Sequence, residues 1–353
     1  MGLHPALSNQ IQPRTAGNKA TETEKVSVSV ALAAFSFTAA QHQFSYENNA
    51  FTSQLGLFAA AEDWPLEFPT CGGGRQSPID LSGVVPADLG PFRFRDYHRA
   101  PDEVTVSNNG QTSMVTFSTR KTPRVSGGGL PGLYVLDQLH FHWGSNPYRG
   151  SEHTLFGFRF PMEMHMVHFN SKFENFTEAL ASEEPTAVAV FGFFLEVSKD
   201  WIPIWDNLVR ALSHVKEPDT EHPVNPPTPP SRWLPTGPSR FYRYYGSLTT
   251  PACDQVVVWT LFETPIPIGL RQWEQWNRLR TMAGTKLTNN IRPLQARNGR
   301  KILYDDCFHC FRDNKAKRKR KWRKKIVPIA GDSWPTWGPV QPTFPWDFES
   351  PTA

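Results

Sequence analysis

Hydrophobic and polar positions along the chain predict a fold built mainly from short strands. Strand-length runs of alternating or continuous apolar character lie at 104–107, 114–117, 133–142, 160–169, 187–197, 242–248 and 256–263. The first two are joined by Asn108-Asn109-Gly110, and Asn-Gly tolerates the positive φ of a hairpin turn. Helical spacing is confined to 173–181, 201–215 and 270–282, and the Pro-rich stretch 218–238 is typical of an ordered surface loop. Because no linker interrupts this region, we predict one α+β, mainly β domain around a large sheet.

Two histidines in the strand 133–142 suggest a metal site. Side chains alternate along a strand, so His140 and His142 share one face, about 7 Å apart, while Phe141 points the other way. The returning strand carries Glu163 and His165 on one face, and the 23 residues after His142 suffice for a loop and an antiparallel return. Three neutral histidines are a ligand set for catalytic zinc with an open fourth position. Without such partners, two histidines of this spacing are ordinary buried or solvated residues.

Both ends of the chain differ from the middle. Residues 1–25 are polar, and the apolar run Val26–Ala40 ends in small residues, as a secretory signal peptide does. We therefore predict a leader with signal peptide at 1–40, a domain at 41–304 and a disordered tail at 305–353. A buried strand or a disordered segment is the alternative for 26–40, since its leader is long for a signal sequence. No later run reaches about 18 apolar residues, so we predict no transmembrane segment.

The positive charge is concentrated in the tail. Aromatic content of 13%, with 32 Pro and 24 Gly, agrees with strands and turns. Residues 312–325 hold ten Lys or Arg and one Asp, a net +9, so the remainder carries about −5 of the total +4. Because the positive charge is confined to one short run, the protein as a whole is not predicted to be a nucleic-acid-binding protein. The run Lys315–Lys325 could bind a polyanion such as a heparin-like polymer, acidic matrix or an anionic membrane surface, or be a solvated tail.

A set of motifs in a fixed order makes the function more specific. They are Gln76-Ser77-Pro78-Ile79-Asp80, His140-Phe141-His142-Trp143-Gly144, Gly150-Ser151-Glu152-His153-Thr154, Glu163-Met164-His165, Gly246-Ser247-Leu248-Thr249-Thr250-Pro251 and Asn290-Ile291-Arg292-Pro293. Together they resemble an α-class carbonic anhydrase of the extracellular type, from about Phe44 to Leu303. The resemblance implies a large, mostly antiparallel twisted sheet with short peripheral helices. It also implies reversible hydration of carbon dioxide to bicarbonate and a proton by a zinc-bound hydroxide.

The resemblance assigns roles to individual residues. Zn²⁺ is held by His140, His142 and His165 and lowers the pKa of its water to about 7, a value for which carbonic anhydrase is itself the standard example. Gln138, Glu163 and the backbone near Asn290 orient these imidazoles. The Thr249 hydroxyl donates a hydrogen bond to ionised Glu152 and accepts one from the zinc-bound hydroxide, and so it orients the nucleophile. Thr250 contacts bicarbonate or solvent. The apolar wall that contacts the substrate is formed by Val167, Val190, Leu248, Val257 and Trp259, which could equally be ordinary core residues. His153 and His168 are expected to be structural.

One position departs from the family pattern. The proton shuttle of the family is usually a histidine directly after the Asn-Asn-Gly turn, and this chain has Gln111 there. A glutamine does not titrate near pH 7, so we predict an active enzyme whose turnover is limited by proton transfer.

Cysteines and a sequon bear on the compartment. An even count of four, at Cys71, Cys253, Cys307 and Cys310, permits disulfides without proving them. Cys71 and Cys253 match the disulfide of extracellular family members, while Cys307 and Cys310 allow a local or intermolecular bridge or free thiols. Asn175-Phe176-Thr177 is a glycosylation sequon, and with the apolar leader it favours a secreted glycoprotein. The alternative function is a non-catalytic, carbonic-anhydrase-like binding module that acts through the polybasic tail.

Overall fold

A twelve-stranded sheet organises residues 44–46, 60–235 and 240–306, the part of the chain that the computed structural model describes. Its strands are β1 Val85–Ala87, β2 Phe92–Arg95, β3 Glu103–Asn108, β4 Ser113–Ser118, β5 Arg124–Gly127, β6 Tyr134–Trp143, β7 Met162–Asn170, β8 Val188–Ser198, β9 Thr220–Pro223, β10 Phe241–Gly246, β11 Val257–Gly269 and β12 Leu303–Asp305. The main path runs β1-β12-β10-β11-β8-β7-β6-β4-β3-β9, and β5 joins β2 to β6. Only the pairs β8–β11 and β1–β12 are parallel among these strands, so the predicted mainly β, mostly antiparallel sheet is confirmed.

Four short α-helices accompany the sheet in the described residues; the first was not predicted, and the other three are shorter than their sequence patterns predict. They are α1 Trp64–Glu67, α2 Phe176–Ala181, α3 Asp206–Leu212 and α4 Leu270–Trp276. Helix α2 begins only at Phe176 because the Asn175 side chain accepts a hydrogen bond from the Glu178 amide and caps it. A 3₁₀ turn over Pro203–Trp205 precedes α3, in keeping with a proline that lacks an amide donor.

Two other predicted boundaries were wrong. Strand β11 continues to Gly269, beyond the predicted end at 263, because parallel pairing with β8 resumes after a bulge between Phe262 and Ile266. The segment 218–238 is more than a surface loop where it is described. Its residues 220–223 form β9 against β3, and Trp233 is fully buried.

Each face of the central sheet covers a separate core. On one face, Leu139, Phe141 and Trp143 of β6 pack with residues of α3 and α4. On the other face, Val167, Val190 and Trp259 belong to a second apolar cluster. The histidines of β6 share this second face, because they alternate with the core residues Leu139 and Phe141.

Several predictions fall on residues outside the described ranges. These are the leader and signal peptide at 1–40, Cys307, Cys310 and the basic run 315–325. Within the described ranges, no helix has the length and apolar character needed to cross a membrane.

Candidate active site

Three histidines meet where β6 and β7 pair. His140 lies directly opposite His165 in the antiparallel register, and His142 is two residues farther along β6. Each offers one ring nitrogen, and these three atoms lie within 4.8 Å of one another. His165 Nδ1 lies 3.3 Å from His140 Nε2. The structure therefore brings together the three side chains that the sequence predicts as ligands.

The other ring nitrogen of each of these three histidines contacts an acceptor of its own. His140 Nδ1 lies 3.0 Å from Gln138 Oε1, and His165 Nε2 lies 2.7 Å from Glu163 Oε1. His142 Nδ1 lies 2.6 Å from the backbone carbonyl oxygen of Asn290. These contacts fix each ring so that Nε2 of His140, Nε2 of His142 and Nδ1 of His165 face the common point.

The chemistry of this donor set fits a zinc ion. His142 Nε2 is buried and has no hydrogen-bond partner among the described residues. Burial, with the neighbouring histidines His142 and His165, holds the pKa of His140 well below its usual range. Burial is also the main cause that lowers the pKa of His142, so its 3.5 Å approach to Glu152 is not an ion pair. A buried neutral imidazole nitrogen without a partner is the state that metal coordination requires.

A second cluster of potential ligands is already satisfied internally. Glu163 Oε1 lies 2.7 Å from both His165 Nε2 and His153 Nδ1, while its Oε2 accepts a hydrogen bond from the His153 amide. Burial raises the pKa of Glu163, but His153 and His165 outweigh it and hold that pKa well below the usual range. The group thus acts as a rigid ionised acceptor behind His165.

Close packing maintains that acceptor in place. Gly192 of β8 pairs with His165. A Cβ atom at Gly192 would lie 2.3 Å from Leu261 Cδ1 and 3.2 Å from Glu163 Oε1. The absence of a side chain at this position leaves room for the carboxylate beside the histidine.

Glu152 presents one unused oxygen in the interior. Its Oε1 accepts a hydrogen bond from the Arg292 amide, and its Oε2 is buried with no hydrogen-bond partner among the described residues. Arg292 is itself buried, and it donates to Gln76 Oε1 and to the carbonyl oxygens of Ser77 and Cys71. Burial lowers the pKa of Arg292 to about 10. The sequence shows Arg292 only as part of a motif, and it does not predict that the Arg292 amide holds Glu152.

A cavity opens above the histidines. Its lining includes Val167, Val190, Leu248, Thr249, Thr250 and Trp259. Val257 is not part of this lining: it is fully buried in the second apolar cluster, two residues before Trp259 on β11. Its role as a substrate-wall residue stays a prediction, because wall and core residues give the same sequence pattern.

The cavity is also lined by polar residues. Gln111 lines it, and its Nε2 donates a hydrogen bond to the Phe44 carbonyl oxygen. The cavity also includes residues that sequence reasoning did not select: Tyr46, Asn109, Thr112 and Met114. The position of Met114 in the lining could have been predicted from the sequence, because it belongs to the predicted hairpin. In the structure Met114 pairs with His140.

A disulfide joins the N-terminal segment to the loop that carries Thr249. Cys71 and Cys253 are bonded, as the resemblance implies, and they pack in a small cluster with Phe44 and Trp64. Gln76 Nε2 donates to the Cys253 carbonyl oxygen. Because the bonded cysteines are 182 residues apart, the bond closes a long loop and restricts the unfolded chain strongly.

The fold and the cavity define an enzyme-like pocket with a candidate three-histidine metal centre. Residues 59–306 match the model of the eukaryotic-type carbonic anhydrases. The chain is 36% identical to carbonic anhydrase 15 of Mus musculus over 253 residues, which cover 68% of this chain and 78% of that protein. It is also 36% identical to carbonic anhydrase 7 of Mus musculus over 249 residues, 68% of this chain and 92% of that protein.

Carbonic anhydrase 4 of Oryctolagus cuniculus gives a similar match, 36% identity over 246 residues that cover 66% of this chain and 76% of that protein. The chain belongs to the eukaryotic-type carbonic anhydrases, a family of carbonate dehydratases.

Proposed function

We propose that this protein hydrates carbon dioxide reversibly, with a zinc ion held by Nε2 of His140, Nε2 of His142 and Nδ1 of His165. The observation that carries the proposal is the convergence of these three nitrogens, each backed by an acceptor on the far side of its ring. A zinc ion held there would lower the pKa of a water molecule to about 7, as the carbonic anhydrases themselves exemplify, and so would supply hydroxide at neutral pH.

Glu152 and Thr249 are proposed to orient the nucleophile. The unpartnered Glu152 Oε2 is a buried acceptor that suits the hydroxyl proton of Thr249. When that hydroxyl donates to Glu152, it can only accept from the oxygen nucleophile, whose remaining lone pair is then directed at carbon dioxide. The complete burial of Glu152 would strengthen such a hydrogen bond.

The apolar side of the cavity is proposed to hold the substrate. Carbon dioxide is small and has no net dipole, so a wall of Val167, Val190, Leu248 and Trp259 is sufficient to bind it weakly. Thr250 lines the same cavity and is proposed to contact the bicarbonate product or solvent. The proposal is tested by measuring zinc content and carbon dioxide hydration of the purified full chain; a protein without zinc, or without a rate above the uncatalysed reaction, would favour the binding-module alternative.

Proton removal is expected to limit turnover. Each hydration releases one proton, and Gln111 cannot accept it near neutral pH. We expect Gln111→His to raise kcat about a hundredfold in dilute buffer, the lower end of the range for a positioned acid-base group. Stopped-flow hydration with a pH indicator measures this, at buffer concentrations from dilute to saturating.

Concentrated buffer supplies the internal control for this prediction. There the parent and the Gln111→His variant should reach similar kcat values, because buffer base removes the proton in both. Equal turnover of the two proteins in dilute buffer would show that position 111 does not limit the reaction.

We infer a secreted glycoprotein from the disulfide and the sequon. Asn175 and Thr177 are both exposed, so the sequon is accessible at the start of α2. The Asn175 oxygen caps the helix through the Glu178 amide and leaves the side-chain nitrogen available for a glycan. The Cys71–Cys253 bond is consistent with an oxidising compartment.

Expression in a secreting eukaryotic cell should yield protein that loses the mass of one glycan after treatment with an N-glycosidase. Thr177→Ala should abolish this mass shift while it leaves the Asn175 cap intact. Asn175→Asp is the matched variant, since aspartate also caps a helix but carries no glycan. A mass shift that persists in Thr177→Ala would place the glycan elsewhere.

The remaining predictions concern the chain ends. A catalytic domain at 41–304 stays a prediction beside the family match at 59–306. A polyanion at 315–325 is proposed on charge alone.

A further inference from the structure

An irregularity in β6 places a carboxyl group on the face that carries the histidines. Pairing with β7 shifts register between Leu136 and Gln138, so Asp137 is the extra residue of a β-bulge. Before the bulge, Tyr134 and Leu136 belong to the core on one face; after it, Leu139 and Phe141 do. Since alternation restarts at the bulge, Asp137 and Gln138 both project to the face of His140 and His142.

The neighbours of Asp137 leave its charge uncompensated. On β7 the residue opposite Gln138 is Val167, which lines the cavity, and Phe169 follows on the same face. His168 lies between them but projects to the other face, where it contacts Tyr97. Of the adjoining strands, β4 contributes Thr116 opposite Gln138 and β5 contributes Arg124 opposite Val135.

Among the described residues Asp137 forms neither a hydrogen bond nor an ion pair, with Arg124 or any other group. Burial alone raises the pKa of Asp137 to about 7. The side chain is nevertheless only half-buried, so solvent reaches it. Asp137 does not line the cavity itself; it directly precedes Gln138, which does, and it projects to the same face. Its carboxyl group therefore lies next to the cavity and is reached by solvent.

We propose that Asp137 relays the proton of each turnover from the cavity to solvent, in place of the histidine that Gln111 replaces. This proposal rests on the proposed hydration function. The Asp137 carboxylate takes a proton from cavity water, and the resulting carboxylic acid gives it to a buffer base, so the group is regenerated without any other reactant. Asp137 contacts neither the substrate nor the three histidines in this scheme; it only moves the proton.

Asp137→Asn is expected to lower kcat in dilute buffer roughly a hundredfold, the lower end of the range for acid-base groups. Its kcat/KM and its kcat at saturating buffer should stay at the parent's values, because neither depends on the relay. In a Gln111→His background, Asp137→Asn should have little effect, since the introduced histidine supplies a second route. Asp102→Asn, at an exposed carboxylate on the surface, is the matched control and should change none of these values.

A titration without turnover gives an independent readout. In protein labelled with ¹³C at aspartate carboxyl carbons, one resonance absent from Asp137→Asn should titrate near pH 7. A midpoint below about 5 for that resonance, near the ordinary value for aspartate, would overturn the proposal. Unchanged kcat of Asp137→Asn in dilute buffer, with the parent active, would overturn it too. An inactive parent containing zinc would instead reject the hydration function itself.

Discussion

Replacement of His142 by alanine is expected to remove zinc binding and carbon dioxide hydration together. His142 Nε2 is the buried nitrogen without a partner, and its ring is held by the Asn290 carbonyl oxygen. Loss of one of three protein ligands should weaken zinc binding by far more than the tenfold to hundredfold typical of an outer hydrogen-bond partner. Equilibrium dialysis against a zinc buffer, with metal analysis of the protein, measures this directly.

Two controls separate ligand loss from misfolding. His214→Ala removes an exposed imidazole of the described surface and should leave zinc content and activity unchanged. Thermal unfolding of His142→Ala without metal should show a cooperative transition, because His142 contributes little to either apolar cluster. Retention of stoichiometric zinc by a folded His142→Ala protein would refute the proposed ligand set.

Glu152→Gln is expected to lower kcat/KM about a hundredfold without loss of zinc. The amide keeps the size of the carboxylate, and its oxygen can still accept from the Arg292 amide. Its nitrogen, however, would then stand at the Oε2 position as a donor, so it could not accept the Thr249 hydroxyl proton. Loss of one positioned acid-base interaction costs about 10² to 10⁴ in rate.

A double-mutant cycle with Thr249→Val makes this prediction specific. If the two residues act through one hydrogen bond, the double variant should be about as slow as either single variant. Thr249→Ser keeps the hydroxyl and should restore most of the activity. Glu196→Gln, at an exposed glutamate of β8, is the matched control and should be neutral. Additive losses in the cycle would indicate independent roles.

The sequence predicted the centre of the site because strand alternation is a strong local rule. His140 and His142 had to share a face, and a returning strand had to bring His165 near them. The hairpin around Asn109 and Gly110 was predicted by turn chemistry, and β3 and β4 pair on either side of it. In each case one residue type and one spacing determine the geometry.

Features that depend on distant contacts were not predictable in the same way. The bulge at Asp137 reverses the alternation of β6 without any glycine or proline to mark it. Helix α2 starts where Asn175 caps it, three residues later than helical spacing indicates. The support of Glu152 by Arg292 joins residues 140 positions apart. Such contacts arise only once the sheet has assembled.

The close packing of Leu261 and Glu163 against Gly192 has a consequence for how this family member can diverge. A side chain at 192 collides with Leu261, which is fully buried, and crowds the Glu163 oxygen that positions His165. A larger residue at 192 therefore requires the side chains of Leu261 and Glu163 to shift, whereas a smaller residue at 261 alone leaves a destabilising cavity. The sizes of the residues at 192 and 261 are therefore expected to change together in other members of the family.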